Sequence, residues 1–113
     1  MTDCLFCKIV TGDVPAVRVA ESARTLAFRD INPQAPTHVL VIPKEHHPDL
    51  AALVTDVGLL AEVADQAHQV ATAEGIDGSG YRVVFNTGAE AGQTVPHVHA
   101  HVLGGRRLGW PPG

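Results

Sequence analysis

With 113 residues, 45% of them hydrophobic and 18% charged, the chain has the size and composition of one globular domain spanning 1–113, which excludes a second. Eight Lys+Arg against twelve Asp+Glu leave a net charge of −4 at pH 7; binding of DNA or RNA, which rests on neutralising phosphates, is therefore not expected, while a single nucleotide stays open. The Met1-Thr2-Asp3-Cys4 start carries no secretory signal, and no apolar run approaches the roughly 18 residues of a membrane span, so the expectation is a soluble, cytoplasmic protein without a membrane partner.

Leu5, Phe6, Ile9 and Val10 fall at helical spacing before Thr11-Gly12-Asp13, which predicts a short first helix closed by a turn. Val17 to Glu21, Leu26 to Arg29 and His38 to Pro43 favour strands and are separated by breakers, Asn32-Pro33-Gln34-Ala35-Pro36 among them; they predict an antiparallel meander. Leu60, Val63, Ala64, Ala67 and Ala71 then recur at helical spacing, with Asp56 as cap and Gly75 as stop, giving one long amphipathic helix. Tyr81 to Asn86 and Val98 to Leu103 read as two further strands joined by the loop Thr87 to Pro96. Clustered strands predict an α+β fold: a five-stranded, mostly antiparallel sheet with one long and one short helix.

The feature above background is His97-Val98-His99-Ala100-His101-Val102-Leu103. Side chains alternate along a strand, so three imidazoles share one face at roughly 7 Å intervals while Val98, Ala100 and Val102 share the core face. Three readings stand: a solvated face that happens to carry histidines, a metal site, or covalent catalysis. Imidazole is a common metal ligand and can converge on zinc from alternate strand positions. Neutral imidazole is also a nucleophile at pH 7, and its neighbours can donate to the oxygens of a phosphoryl group under attack. Gly88, Gly92, Gln93 and Thr94 lie just upstream, where glycines let backbone approach a phosphate and two side chains offer donors; a plain turn is the simpler reading of that loop taken alone.

Cys4 and Cys7 form a C-x-x-C that is a redox pair, half a zinc site or chance. A thioredoxin-like setting lacks its preceding strand and following long helix. A closed zinc site needs two more ligands, which His97 and either His46 or His47 would supply.

The histidine row resembles the signature of the histidine triad (HIT) family, and within it the Hint branch. So do Asp30-Ile31, Pro36-Thr37-His38 leading to Lys44, Asn86, Gly92-Gln93-Thr94, Gly104-Gly105-Arg106 and the Trp110-Pro111-Pro112-Gly113 terminus, in the family's order from about Leu5 onward. The resemblance implies a HIT-like fold, a homodimer whose sheets join edge to edge, and hydrolysis of a purine nucleoside 5′-phosphoramidate, with no cofactor for catalysis. It implies that His99 attacks the α-phosphorus to give a nucleotidyl-histidine, that His101 and His38 line the phosphate site, and that the His97 carbonyl holds the other ring nitrogen of His99. Thr94 would relay a proton to the leaving amine and, with Gly92 and Gln93, bind phosphate. Asp30 would accept from the ribose hydroxyls, with Asn86 near the sugar-phosphate. Phe6, Phe28 and Ile31 would flank the purine, and Trp110 would influence the leaving group from across the dimer.

Several of these residues have plainer readings: Phe6 and Phe28 as core, Asp30 as a turn former, Trp110 as an incidental tail residue. The resemblance prefers His46 over His47 and gives a structural zinc held by Cys4, Cys7, His46 and His97. The Hint branch often lacks these cysteines, so the chain departs from it there. Cleavage of a dinucleoside polyphosphate, a nucleotide-binding regulatory module and a triad that itself holds zinc remain as alternatives.

Overall fold

The computed structural model describes residues 3–113; Met1 and Thr2, at the start of the predicted domain, lie outside the described residues. In chain order the elements are α1 (Leu5–Thr11), β1 (Arg18–Glu21), β2 (Thr25–Arg29), β3 (Thr37–Pro43), α2 (Leu50–Leu53), α3 (Val57–Ala73), β4 (Tyr81–Phe85), a single 3-10 turn at Ala89–Ala91, and β5 (Ala100–Gly104). Among the described residues the strands form a five-stranded sheet in the order β1-β2-β3-β5-β4, with every neighbouring pair antiparallel. The α+β expectation and the β1-β2-β3 meander both hold.

Strand alternation sorts side chains onto two covered faces. Ala27, Val39, Val41, Val98, Ala100 and Val102 pack against α3, whose buried stripe is Leu59, Val63, Gln66, Ala67, Val70 and Ala71. That stripe is rotated from the predicted one: Ala64 is exposed and Leu60 only half-buried, because Leu59 opens the i, i+4, i+7, i+8 series that meets the sheet. Asp56 caps α3 as predicted, its carboxylate accepting from the Leu59 N–H at 3.0 Å, and Gly75 follows the helix at φ 75°. Arg29 on β2 and Glu74 at the end of α3 tie the two layers through bonds of 2.7 and 3.0 Å. α2 was not foreseen, since four residues are too short to display a helical period; Asp49 caps it through the Ala52 N–H.

The opposite face is not bare chemistry. Phe6 and Ile9 of α1 close with Leu26, Phe28, Leu40 and Ile42 into a second, smaller apolar cluster. It is on this face that the histidines emerge.

Strand β5 starts later than predicted, at Ala100 rather than Val98. Register pairs Val41 with Ala100, which puts Pro43 opposite Val98. Proline has no N–H to donate, and the Pro43 carbonyl is engaged by His97 Nε2 at 2.8 Å, so the ladder cannot continue. Val98 N–H instead donates to the His47 carbonyl at 2.7 Å. Side-chain alternation nonetheless persists through 97–102, with the valines and alanine on the α3 face.

Candidate active site

Behind α1 lies a cleft of about 340 Å³ whose walls include Phe6, Phe28, Asp30, Ile31, Thr94, His99 and His101. Phe6 and Phe28 meet edge to face with centroids 5.4 Å apart, and Phe6 also stands edge-on to His99 at 5.1 Å. Both phenylalanines are buried, so they serve as core and as cleft wall together, whereas Ile31 is fully exposed at the rim.

The imidazoles are ordered by their backbone partners. His99 Nδ1 is 2.8 Å from the His97 carbonyl, which can only accept, so this nitrogen carries the proton and Nε2 of the neutral ring keeps its lone pair. The Gln34 N–H donates to His38 Nδ1 at 3.0 Å, placing the proton of neutral His38 on Nε2. His38 Nε2 lies 2.8 Å from His101 Nδ1 and donates to it, which leaves the His101 proton on its own Nε2. That last atom is buried and without a hydrogen-bond partner among the described residues. The His99 and His101 ring centroids are 4.9 Å apart, so the ring with the bare nitrogen and the ring with the unpartnered N–H are neighbours in the cleft wall.

Burial keeps the His101 and His38 rings neutral. It pushes His101 down to about 4, with the neighbouring His99 and His38 acting in the same direction and the Asp30 carboxylate opposing. His38 is lowered by burial too, again against Asp30. Asp30 Oδ1 accepts from the Asn32 N–H at 2.8 Å while its Oδ2 is 3.4 Å from His38 Nε2, so the residue is a turn former and a member of the site at once.

Other predicted residues stand elsewhere. The Gln93 amide braces its own loop, its Oε1 accepting from Gly88 N–H at 3.0 Å and its Nε2 donating to the Pro48 and Val95 carbonyls at 2.8 and 3.1 Å. Asn86, Gly92 and Trp110 do not line the cleft. Gly92 closes the 3-10 turn at φ 83°, and Trp110 is 83% exposed in the tail. Two residues received no role in the sequence reading. Gln34 acts through its main chain, and Arg106 holds the Gln34 carbonyl with Nε and a terminal nitrogen at 3.1 and 3.0 Å. A main-chain donor in a loop leaves no residue-type signal.

His97 faces a different set of partners. Its Nδ1 lies 3.3 Å from Cys4 Sγ, 3.6 Å from Cys7 Sγ and 3.2 Å from His46 Nδ1, and Cys7 Sγ is 3.5 Å from His46 Nδ1. Zinc bonds of about 2.3 Å to sulfur and 2.0–2.1 Å to nitrogen, set on a tetrahedron, separate sulfur from nitrogen by about 3.5 Å and two nitrogens by about 3.3 Å. Four of the six separations in this donor set therefore already match the edges of a zinc tetrahedron, and all four donor atoms lie within 4.8 Å of one another. His97 Nε2 on the Pro43 carbonyl supplies the outer hydrogen bond that orients a ligating imidazole. Burial drives His97 down to about 4, so the ring is neutral and available as a ligand at pH 7. His46, not His47, completes the set; His47 Nε2 lies 3.6 Å from Glu45. Among the described residues, the groups able to gather on one ion separate the triad, His97 with the cysteines and His101 with Asp30 and His38, and His99 belongs to neither.

A neutral-histidine cleft backed by a Cys2His2 centre, on an antiparallel α+β frame, defines a recognisable class. Residues 11–108 match the HIT domain, and the chain belongs to that family. It is 51% identical over 112 residues to an uncharacterized HIT-like protein of Synechocystis, covering 98% of this chain and 97% of that one. It is 46% identical over 112 residues to the 14 kDa zinc-binding protein of Zea mays, covering 96% and 87% respectively. Among solved structures, a HIT family hydrolase from Legionella pneumophila Philadelphia 1 superposes with a TM-score of 0.95 at 51% identity, covering 98% of this chain and all of that one. The fold is thus that of a HIT-family hydrolase. Among the described residues no helix is long and apolar enough to cross a membrane.

Proposed function

We propose that the protein hydrolyses purine nucleoside 5′-phosphoramidates through a nucleotidyl-His99 intermediate. The observation that carries this reading is the 2.8 Å contact from His99 Nδ1 to the His97 carbonyl, which leaves the lone pair on Nε2 of a ring that lines the cleft next to the His101 ring, whose Nε2–H has no partner. His99 Nε2 attacks the α-phosphorus, the P–N bond breaks, and the amine leaves with a proton relayed by the Thr94 hydroxyl. Water then attacks the phosphorus, releasing the nucleoside monophosphate and restoring His99. His101 donates to the phosphoryl oxygens, where charge builds in the transition state. His38 holds His101 in the donating tautomer.

Phe6, Phe28 and Ile31 enclose the base, and Asp30 accepts from the ribose hydroxyls with the lone pairs its turn leaves over. Gly92, Gln93 and Asn86 shape the loop and sheet margin over the sugar-phosphate. Cys4, Cys7, His46 and His97 hold a structural zinc, which supplies a cross-link between α1 and the residues before β5 and takes no part in bond breaking. A thiolate pair used as metal ligands suits a reducing compartment such as the cytoplasm. Two copies pair through β4, and Trp110 of one shapes the leaving-group side of the other.

Rapid-quench reaction with an adenosine 5′-phosphoramidate, read by intact mass and AMP release, tests the reading. One nucleotidyl group should appear on the wild-type chain and none on His99→Ala. Undiminished AMP release by His99→Ala would sink the covalent role. Tight AMP binding without turnover in wild type would point to a binding module instead.

A further inference from the structure

We propose that the Cys4–Cys7–His46–His97 centre is a positioning device for the nucleophile, because the residue it grips by the side chain is the one whose carbonyl orients His99. The inference rests on the reading of His99 as nucleophile.

Besides its main-chain N–H, His97 is attached at three points. Its Nδ1 belongs to the donor set, its Nε2 meets the Pro43 carbonyl at 2.8 Å, and its own carbonyl meets His99 Nδ1 at 2.8 Å. The stretch 97–99 lies outside the β5 ladder, so the sheet does not fix this carbonyl. The main chain is held there by two bonds: His97 N–H to the Val95 carbonyl at 2.8 Å, and Val98 N–H to the His47 carbonyl at 2.7 Å. The second partner adjoins His46. Metal held by His46 and His97 therefore locks the same two segments that this hydrogen bond joins.

Phe6 adds a second connection. It lies between Cys4 and Cys7 in sequence, is buried, and stands edge-on to His97 at 5.9 Å and to His99 at 5.1 Å. An ion held by both cysteines would hold α1, and with it this ring, in its present place against His99. Released from the ion, His97 Nδ1 is left with hydrogen-bond contacts to flexible neighbours, Cys4 Sγ at 3.3 Å and His46 Nδ1 at 3.2 Å, in place of a metal bond, and the carbonyl it presents to His99 is held less tightly. Displacement of a reacting group by an ångström is enough to slow chemistry by orders of magnitude.

The test compares zinc-loaded wild type, chelator-stripped wild type and His46→Ala, which removes an exposed ligand and leaves both cysteines and His97. Zinc per chain, urea unfolding, the 15N resonances of the His99 ring, and kcat and KM for an adenosine 5′-phosphoramidate are read on each. Folded, metal-free protein should lose kcat by about tenfold to hundredfold with KM within about threefold. Its His99 Nδ1–H signal should shift or broaden. Added zinc should restore stripped wild type and fail to restore His46→Ala. A folded, metal-free protein with kcat within about twofold of the loaded enzyme overturns the proposal, as does one whose kcat and KM change only in step with unfolding. Metal-free forms that all unfold reduce the centre to a folding site and also overturn it. Full activity in His99→Ala instead defeats the nucleophile reading. If the loaded enzyme does not turn this substrate over, an unchanged His99 resonance on zinc removal still refutes the coupling.

Discussion

His38 Nε2 and His101 Nδ1 are 2.8 Å apart, and the direction of that hydrogen bond is set four residues upstream of His38 by the Gln34 N–H. A neutral pair ordered this way leaves one unpartnered N–H, on His101 Nε2, in the wall of the cleft. Removing it with His101→Ala should lower kcat by about a hundredfold to a thousandfold, the cost of losing one preorganised donor to a transition-state oxyanion. His38→Ala should cost less, since His101 then samples both tautomers. The double variant should be no worse than His101→Ala alone, because the two residues act in series. Steady-state kinetics on the four proteins check this; independent, additive losses would refute the series arrangement.

Stability should fall with acid from near neutrality. In the unfolded chain an imidazole takes a proton near pH 6.5, whereas His101 in the folded chain resists until about 4. Between those values the unfolded chain holds more protons, so stability rises with pH through the window and is unaffected by this group above it. His38 is lowered likewise and acts with the same sign. Glu74, held down by its hydrogen bonds from Arg29, adds a contribution that is complete above the ordinary carboxylate range and lost as pH drops through its folded value. Urea midpoints measured between pH 7.5 and pH 4.5 should decline toward acid, and His101→Asn should flatten the part of the slope between about 6.5 and 5. A midpoint that does not change from pH 7 to pH 5 would contradict the buried neutral imidazoles.

Much of this architecture was legible in the residues, and what was missed has physical causes. The alternation at 97–102 predicted the two faces correctly because side-chain direction depends on local extended backbone, which survives even where the ladder ends at Pro43. The start of the α3 stripe was misplaced by one residue because Leu59 and Leu60 are equally apolar, and only the docking of the helix on the sheet decides that Leu59 is fully buried and Leu60 half-buried. The cysteine spacing identified half of a metal site, but the choice between His46 and His47 depends on how the chain leaves β3. Gln34 gave no signal because it works through a main-chain N–H, and Arg106, quoted only within the Gly104-Gly105-Arg106 segment, received no role because its guanidinium binds a main-chain carbonyl that no residue type announces.

Gly105 should be intolerant of a side chain. Its φ is 88°, and a Cβ there would approach Pro36 Cβ to 2.9 Å. Both effects act on the turn that presents the Gln34 N–H to His38, beside Arg106, which holds the Gln34 carbonyl. Gly105→Ala should therefore destabilise the fold by about 1–3 kcal/mol and lower kcat in the protein that remains folded. Urea unfolding and kinetics on the same preparation would show it; an unchanged midpoint would mean the turn moves aside freely.

The two sheet edges are unequal, and the difference predicts where a second copy adds. β1 carries Arg18 and Glu21 and has a register shift between Arg18 and Ala20, features that blunt an edge against further pairing. β4 runs from Tyr81 to Phe85 in unbroken register with β5, and its midpoint, Val83, is 40% exposed. Its outer backbone groups offer an uninterrupted row of donors and acceptors, and a valine there favours a cross-strand apolar contact. Two antiparallel copies of β4 would extend the sheet and set Val83 near its counterpart. Val83→Lys would then place two like charges close together, so sedimentation at micromolar concentration should show a dimer for wild type and a monomer for the variant. A wild-type monomer would remove the pairing, and a dimer unaffected by Val83→Lys would move it to another face.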